Sequence, residues 1–320
     1  MKPIAAMFFT LMLPITSQAQ GVYPIKPVKL FVSSAAGSAP DIVARIIAQR
    51  LNSSWAQPVI VENVPGASGN IAAEKVAKSV ADGSTLLYAN FAVLYTNKTL
   101  SANLGYDIES DFEPITQITL SANLLVVHPS VPARTVRELV AYGRANPGKL
   151  RYGSVGNGSS MHLLAEQFKT SAGIDVLHVP YKSSAQMATE LVAGQFEFSF
   201  HNAAVVLPQV RAGKLRALAA TTAKRFPNTQ EVPTMIEAGF PDILYDGGTG
   251  LLAPKGTPTF VIEKISNDSA KVLATAAVRD LFEANGLQPV GSSPVAFAAR
   301  IKSENARWAK IIQVSGAKLD

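Results

Sequence analysis

The stretch VKLFVSSAAGSAPDIVARIIAQRL, residues 28–51, decides the fold. VKLFVSS (28–34) is an apolar run of strand length, and AAGSAP breaks it with small residues. From Asp41 onward Ile42, Val43, Ile46, Ile47 and Leu51 recur at helical spacing. Strand, small-residue loop and helix therefore follow one another within a single short segment. That unit predicts a strand of a parallel sheet with its crossover helix.

Outward from this stretch the unit repeats. PVIVEN (58–63) is a strand ending in VPGASG, NIAAEKVAKSV (70–80) is a helix, and STLLYAN (84–90) is a third strand. A second series starts at NLLVVHP (123–129) and runs to KLRALAAT (214–221) through alternating strands and helices. After GLLAPKG (250–256), two helices are expected, PTFVIEKISNDSAKVLA and PVAFAARIKSENARWAKII. The second series is complete by itself, whereas the late helices need a partner earlier in the chain. The expectation is an α/β protein of two lobes, each a mainly parallel sheet with flanking helices. Lobe 1 comprises 22–122 and 248–320, lobe 2 comprises 123–247, and two extended crossings form the hinge.

Composition is consistent with this. The chain is 48% hydrophobic and 16% charged, which suits a globular protein with a sizeable core. Lys2, the apolar run PIAAMFFTLMLPI and the small residues of SQA (17–19) form a three-part secretory signal, with cleavage expected after Ala19. The mature chain is expected in the periplasm. There is no cysteine, so disulfides, thiolate metal sites and cysteine nucleophiles are excluded. The net charge of +6 is dispersed without basic runs, which argues against nucleic acid and for a weak attraction of small anions.

In open α/β sheets ligands bind beyond the carboxyl ends of the strands. Four loops there carry Gly, Ser or Asn, two in each lobe: 35–40, 64–70, 153–160 and 181–184. GSVGNGSSMH (153–162) is the richest. It lacks the phosphate-loop Lys, and its glycine spacing is not that of a dinucleotide fingerprint. GSSMH also lacks the second glycine of a nucleophile elbow. What remains is a helix start with free N–H donors and a partial positive charge, suited to a carboxylate. Alternatively the glycines only make a turn and Ser159 or Ser160 caps the helix. His162 either orients this loop or packs. Asp41 and Arg45, one helical turn apart, are read as bracing the Gly37–Ser38 loop. Tyr181 offers a ring with a hydroxyl for a cleft wall, and Lys182 is the one cation in the four loops. His128, His162, His178 and His201 show no metal-ligand spacing, and no cofactor is expected.

The order of motifs resembles the Bug-type receptors, the solute-binding proteins of tripartite tricarboxylate transporters. The likeness runs through YPIKPVKLFV, AAGSAPDIVAR, VENVPGASGNIAAEKVA, ADGSTLL, YDIESDFEPITQI, GSVGNGSSMHLLAEQF, HVPYK, AGKLRALAATTAKR, VPTMIEAGFP and LLAPKGTP. The resemblance implies a Venus-flytrap arrangement without enzymatic activity, and a cleft that holds a small carboxylate by backbone N–H groups, hydroxyls and water. By position its loops fall on Ala36, Gly37, Ser38, Ala39 and Asp41; on Gly66, Ala67, Ser68 and Gly69; on Ser154, Gly156, Asn157, Gly158, Ser159, Ser160 and His162; and on Tyr181, Lys182 and Ser183. Asn90, at the carboxyl end of the third strand, joins them.

Three departures stand out. Ser38 and Ser183 replace family glycines, and Gly248 stands where the family often has a tryptophan. The expected partners of this monomer are a small organic carboxylate and either membrane transporter subunits or a sensor kinase. The competing class is a secreted hydrolase using Ser159 or Ser160 with His162.

Overall fold

A computed structural model describes residues 22–317; the expected leader, 1–19, lies outside the described residues. Strands β1 (Val28–Val32), β2 (Val59–Asn63) and β3 (Thr85–Ala89) alternate with helices α1 (Ala39–Asn52) and α2 (Asn70–Ala77). A short helix α3 (Asn97–Leu100) leads to the long strand β4 (Phe112–Ser121). The second series is β5 (Asn123–Val127), α4 (Val136–Ala145), β6 (Leu150–Ser154), α5 (Ser160–Ala172), β7 (Val176–Pro180), α6 (Ser184–Val192), β8 (Phe198–Asn202), α7 (Ala203–Arg211) and β9 (Arg216–Ala220). The last is β10 (Gly248–Pro254), α8 (Thr259–Leu273), α9 (Ala276–Ala284), β11 (Leu287–Pro289) and α10 (Pro294–Ser315). Two helices were expected after residue 256 and three are present. Only a short alanine-rich junction separates α8 from α9, and it carries no glycine or proline to mark the break.

Two sheets form, in the orders β11-β4-β10-β3-β1-β2 and β7-β6-β8-β5-β9. β1 is parallel to β2 and β3, and β6 is parallel to β7 and β8, as crossover helices require. β10 is antiparallel to β3 and β4, and β5 is antiparallel to β8 and β9. Most strands of each sheet thus share one direction, as expected, with β5 in one sheet and β10 and the short β11 in the other running against the rest. β5 and β10 arrive from the opposite lobe, at the end where the neighbouring strands leave, so they run against them. The crossings lie side by side: the Ser121 hydroxyl donates to the Gly247 carbonyl at 2.9 Å. The Thr221 hydroxyl reaches the Tyr245 carbonyl at 2.7 Å and the Asn123 carbonyl at 3.0 Å. A Cβ at Gly248 would lie 1.7 Å from the Thr119 carbonyl oxygen, so this register admits only glycine.

The cores are unequal in reach. One apolar cluster runs through both lobes, from Phe31 and Leu87 to Phe168 and Phe198, with Trp308 of α10 and Leu100 among its members. On the other face each lobe has its own core. That of lobe 1 lies under α1, α8 and α9, and that of lobe 2 under α6 and α7. The shared apolar core thus lies on the α10 side; on the other face the lobes meet through α9 and its C-terminal turn, where Asn228 Nδ2 donates to the Glu283 carbonyl at 3.1 Å. No helix among the described residues is long and apolar enough to cross a membrane.

Candidate ligand-binding cleft

Loop 1 is built around a buried carboxylate. Asp41 is 2% exposed. Its Oδ2 accepts from the Gly37 N–H at 2.8 Å, its Oδ1 from Asn63 Nδ2 at 2.8 Å, and Arg45 Nε lies 3.0 Å away. Burial alone would push this carboxyl up; the Gly37 N–H, Arg45 and Asn63 outweigh it and hold it below the ordinary range. Its acceptor positions are consumed, so Asp41 positions the loop. Ser38 sits at the helix start without capping it, its hydroxyl donating to the Ala35 carbonyl at 2.7 Å. Ala39 faces the cleft, whereas Ala36 and Gly37 are turned to solvent.

Loop 2 is strained and pinned. Gly66, Ala67, Ser68 and Gly69 all have positive φ, at 121°, 45°, 56° and 97°. For Ala67 and Ser68 this costs about 1–3 kcal/mol each. The Ser68 carbonyl accepts from Asn90 Nδ2 at 3.4 Å and from Asn97 Nδ2 at 3.3 Å. A Cβ at Gly69 would lie 2.8 Å from Val93, 2.9 Å from Ser33 and 3.1 Å from Asn90. Asn90 also receives the Val93 N–H on Oδ1 at 3.0 Å, which starts the π-helical turn Ala92–Thr96. Asn90 is thus chiefly a brace whose side chain also borders the cleft.

Loop 3 departs from expectation. The free N–H donors expected at this helix start do not include those of Gly156 and Gly158, which are engaged. The Gly156 N–H donates to Ser154 Oγ at 3.1 Å, and the Gly158 N–H to His162 Nδ1 at 3.3 Å. Ser159 caps α5 by accepting the His162 N–H. The N–H groups of Ser160 and Met161, in the first turn, have no intrahelical acceptor, and of the two residues Ser160 lines the cleft. Beneath the loop His162 and His178 pack with ring centroids 4.6 Å apart, and Tyr152 stacks on His178 at 4.8 Å. Ser154 Oγ is 2.6 Å from His178 Nε2. Burial holds His162 below its ordinary value; burial, then the His162 charge, brings His178 down to about 4. The hydrolase pairing of Ser159 or Ser160 with His162 is not assembled. His162 Nδ1 is taken by Gly158, and the Ser159 hydroxyl donates to the Gly156 carbonyl at 2.7 Å.

A cavity of about 340 Å³ joins loops 2 and 3 across the lobes: Ser68, Asn90 and Asn97 on one side, Asn157, Gly158, Ser159 and Ser160 on the other. A second, of about 210 Å³, continues toward the crossings past Ala39, Thr119, Asn202 and Thr249. The two share Asn90, Phe91 and Tyr245. No charged side chain lines either cavity. Tyr181, Lys182 and Ser183 of loop 4 are not brought in. Tyr181 lies against Phe196 at 5.3 Å, the Ser183 hydroxyl caps α6 by accepting the Gln186 N–H, and Lys182 is exposed. None of these three lines the two cavities. Gly66, Ala67, Gly69, Ser154, Gly156 and His162 shape the loops from behind the lining. Phe91 and Tyr245, at the centre, were missed. Phe91 was signalled by its place at the carboxyl end of β3; Tyr245, on a crossing, belongs to no strand–loop–helix unit. Among the described residues there is no cluster suited to a metal ion.

A family model described as tripartite tricarboxylate transporter family receptor matches residues 43–317. Protein BugT of Bordetella pertussis is 33% identical over 298 residues, covering 93% of this chain and 91% of that protein. A Rhodopseudomonas palustris protein solved with adipate is 36% identical with a TM-score of 0.80, covering 93% of this chain and 99% of that one. MatC from the same organism, solved with bound malate, is 28% identical with a TM-score of 0.75, covering 91% and 100%.

Proposed function

The chain belongs to the tripartite tricarboxylate transporter receptor family, a family of solute receptors rather than enzymes, and from that premise we propose that it captures a small carboxylate in the interlobe cleft and delivers it to membrane transporter subunits. The observation that carries the reading is the cavity between loops 2 and 3. It is lined from both lobes by amides, hydroxyls and a helix start, without a charged side chain. A carboxylate placed there meets the Ser160 N–H and the positive end of α5, a 13-residue helix. Adipate and malate in the two similar structures are ligands of this chemical class.

The moving units of this reading are 22–122 with 248–320, and 123–247. Contacts to both favour the closed state, and closure is the signal for the partner. Secretion through a cleaved leader places the receptor in the periplasm. A thermal-shift screen with malate, adipate and citrate tests the proposal. A true ligand at a hundred times its Kd adds about 2.7 kcal/mol. If no carboxylate raises the melting temperature, the reading fails.

A further inference from the structure

Beside the polar cleft lies a third cavity, of about 320 Å³, on the face where the two lobes have separate cores. Ile42, Val43 and Ile46 of α1 form one wall, Ala204 and Val205 of α7 the opposite wall, and Leu281 and Phe282 of α9 the floor. No charged side chain lines it. It shares Ala39, Val43, Asn202 and Leu287 with the 210 Å³ cavity, so the two adjoin across a common wall of residues. On its far side the lobes touch. A Cβ at Gly286 would lie 3.0 Å from the Ala204 nitrogen, and Asn228 Nδ2 donates to the Glu283 carbonyl at 3.1 Å.

Apolar side chains around this cavity are left in water: Ile42 is 52% exposed, Leu281 44% and Val205 36%. Ile42 and Leu281 belong to one lobe and Val205 to the other, so an apolar occupant is gripped only as the lobes come together. We propose that this cavity is an apolar annex of the cleft, and that it takes the hydrocarbon body of an amphipathic carboxylate whose head group stays in the polar part. The inference rests on the carboxylate reading above. Its occupant is chosen by two features: adjacency to the polar cavities, and a lining with no cation for a second carboxylate. An apolar cavity of roughly 150 Å³ already accepts a benzene ring, so the annex has room for a ring or an alkyl chain of several carbons. Its polar lining residues are Ser184, Asn202 and Asn285.

Calorimetric titration of the full mature chain with octanoate, phenylacetate and malate tests this. Octanoate or phenylacetate is expected to bind at least tenfold more tightly than malate, with a more negative heat-capacity change. Val205→Asp and Leu281→Asp are expected to weaken the two apolar acids at least tenfold and to leave malate within threefold. Both sites are partly exposed, and unchanged melting temperatures without ligand check that the fold is kept. If malate binds and the apolar acids do not, or if neither variant discriminates, the annex is overturned and the carboxylate reading stands. If the variants alter self-association in sedimentation but not octanoate affinity, the face is a docking surface and the proposal is wrong. If no acid binds, the carboxylate reading falls and the annex with it.

Discussion

Asp41 brings a negative charge to the edge of a cleft for anions, and the structure neutralises its effect by using its oxygens internally. Asp41→Ala leaves the Gly37 N–H and Asn63 amide without their acceptor, at a cost of about 1–3 kcal/mol, measurable by urea unfolding. Gly158 is bound to its place by a φ of 74° and by Leu100, 3.0 Å from where its Cβ would be. Gly158→Val is expected to weaken carboxylate binding at least tenfold, whereas Lys182→Ala, outside the cavities, should change it less than threefold. The reverse result in calorimetric titration would make the cleft a charge clamp. The histidines add a pH dependence. His178 and His201 fall from 6.5 to about 4, mainly through burial. Between those values the unfolded chain takes up protons that the folded chain refuses. Stability is therefore full above pH 6.5 and declines as pH falls toward 4, by on the order of 1–3 kcal/mol per histidine. Protonating His162 also removes the acceptor of the Gly158 N–H, so ligand affinity should fall in the same direction. Unfolding at pH 7.5, 6 and 5 checks the slope, which His178→Asn should flatten.

At the scale of elements, α10 decides how the centre of the cleft is held. Trp308 is fully buried, with Phe91 5.2 Å and Tyr245 6.3 Å from its ring, and its Nε1 donates to Glu304 at 3.0 Å. Arg307 stacks over the same ring and donates to the Leu244 carbonyl at 3.0 Å, tying the helix to a crossing. Trp308→Ala should cost about 3–5 kcal/mol and also release the two aromatic residues that border the cleft. Trp308→Phe should keep most of the stability. Differential scanning calorimetry with and without ligand separates the two effects; equal ligand shifts in Trp308→Ala and wild type would show that α10 stabilises the fold without shaping the site.

For the whole molecule, the single core shared on the α10 side and the separate cores on the α1 side make an asymmetric joint. On the annex side the interlobe contacts are the Gly286–Ala204 approach and the Asn228–Glu283 hydrogen bond, beside the single core shared on the α10 side. Saturating ligand should slow amide exchange at residues 66–70 and 156–161 together, with α8 unchanged. Slowing in only one of these loops would mean that the ligand is held by one lobe.

The repeated strand–loop–helix unit was legible because buried strands and amphipathic helices impose local periodicities that survive in any context. The four loops were legible for the same reason, since small residues must stand where a strand turns into a helix. The bracing role of Asp41 followed from a spacing of one helical turn. By contrast, loop 4 reads in sequence like loop 3, yet Tyr181 packs on Phe196 away from the cavities. The glycine N–H groups of loop 3 look free until Ser154 and His162, one on a strand and one on a helix, are placed behind them. Tyr245, the direction of β10 and the annex between α1, α7 and α9 depend on how two sheets meet. Residues far apart in the chain make those contacts, and no local periodicity records them.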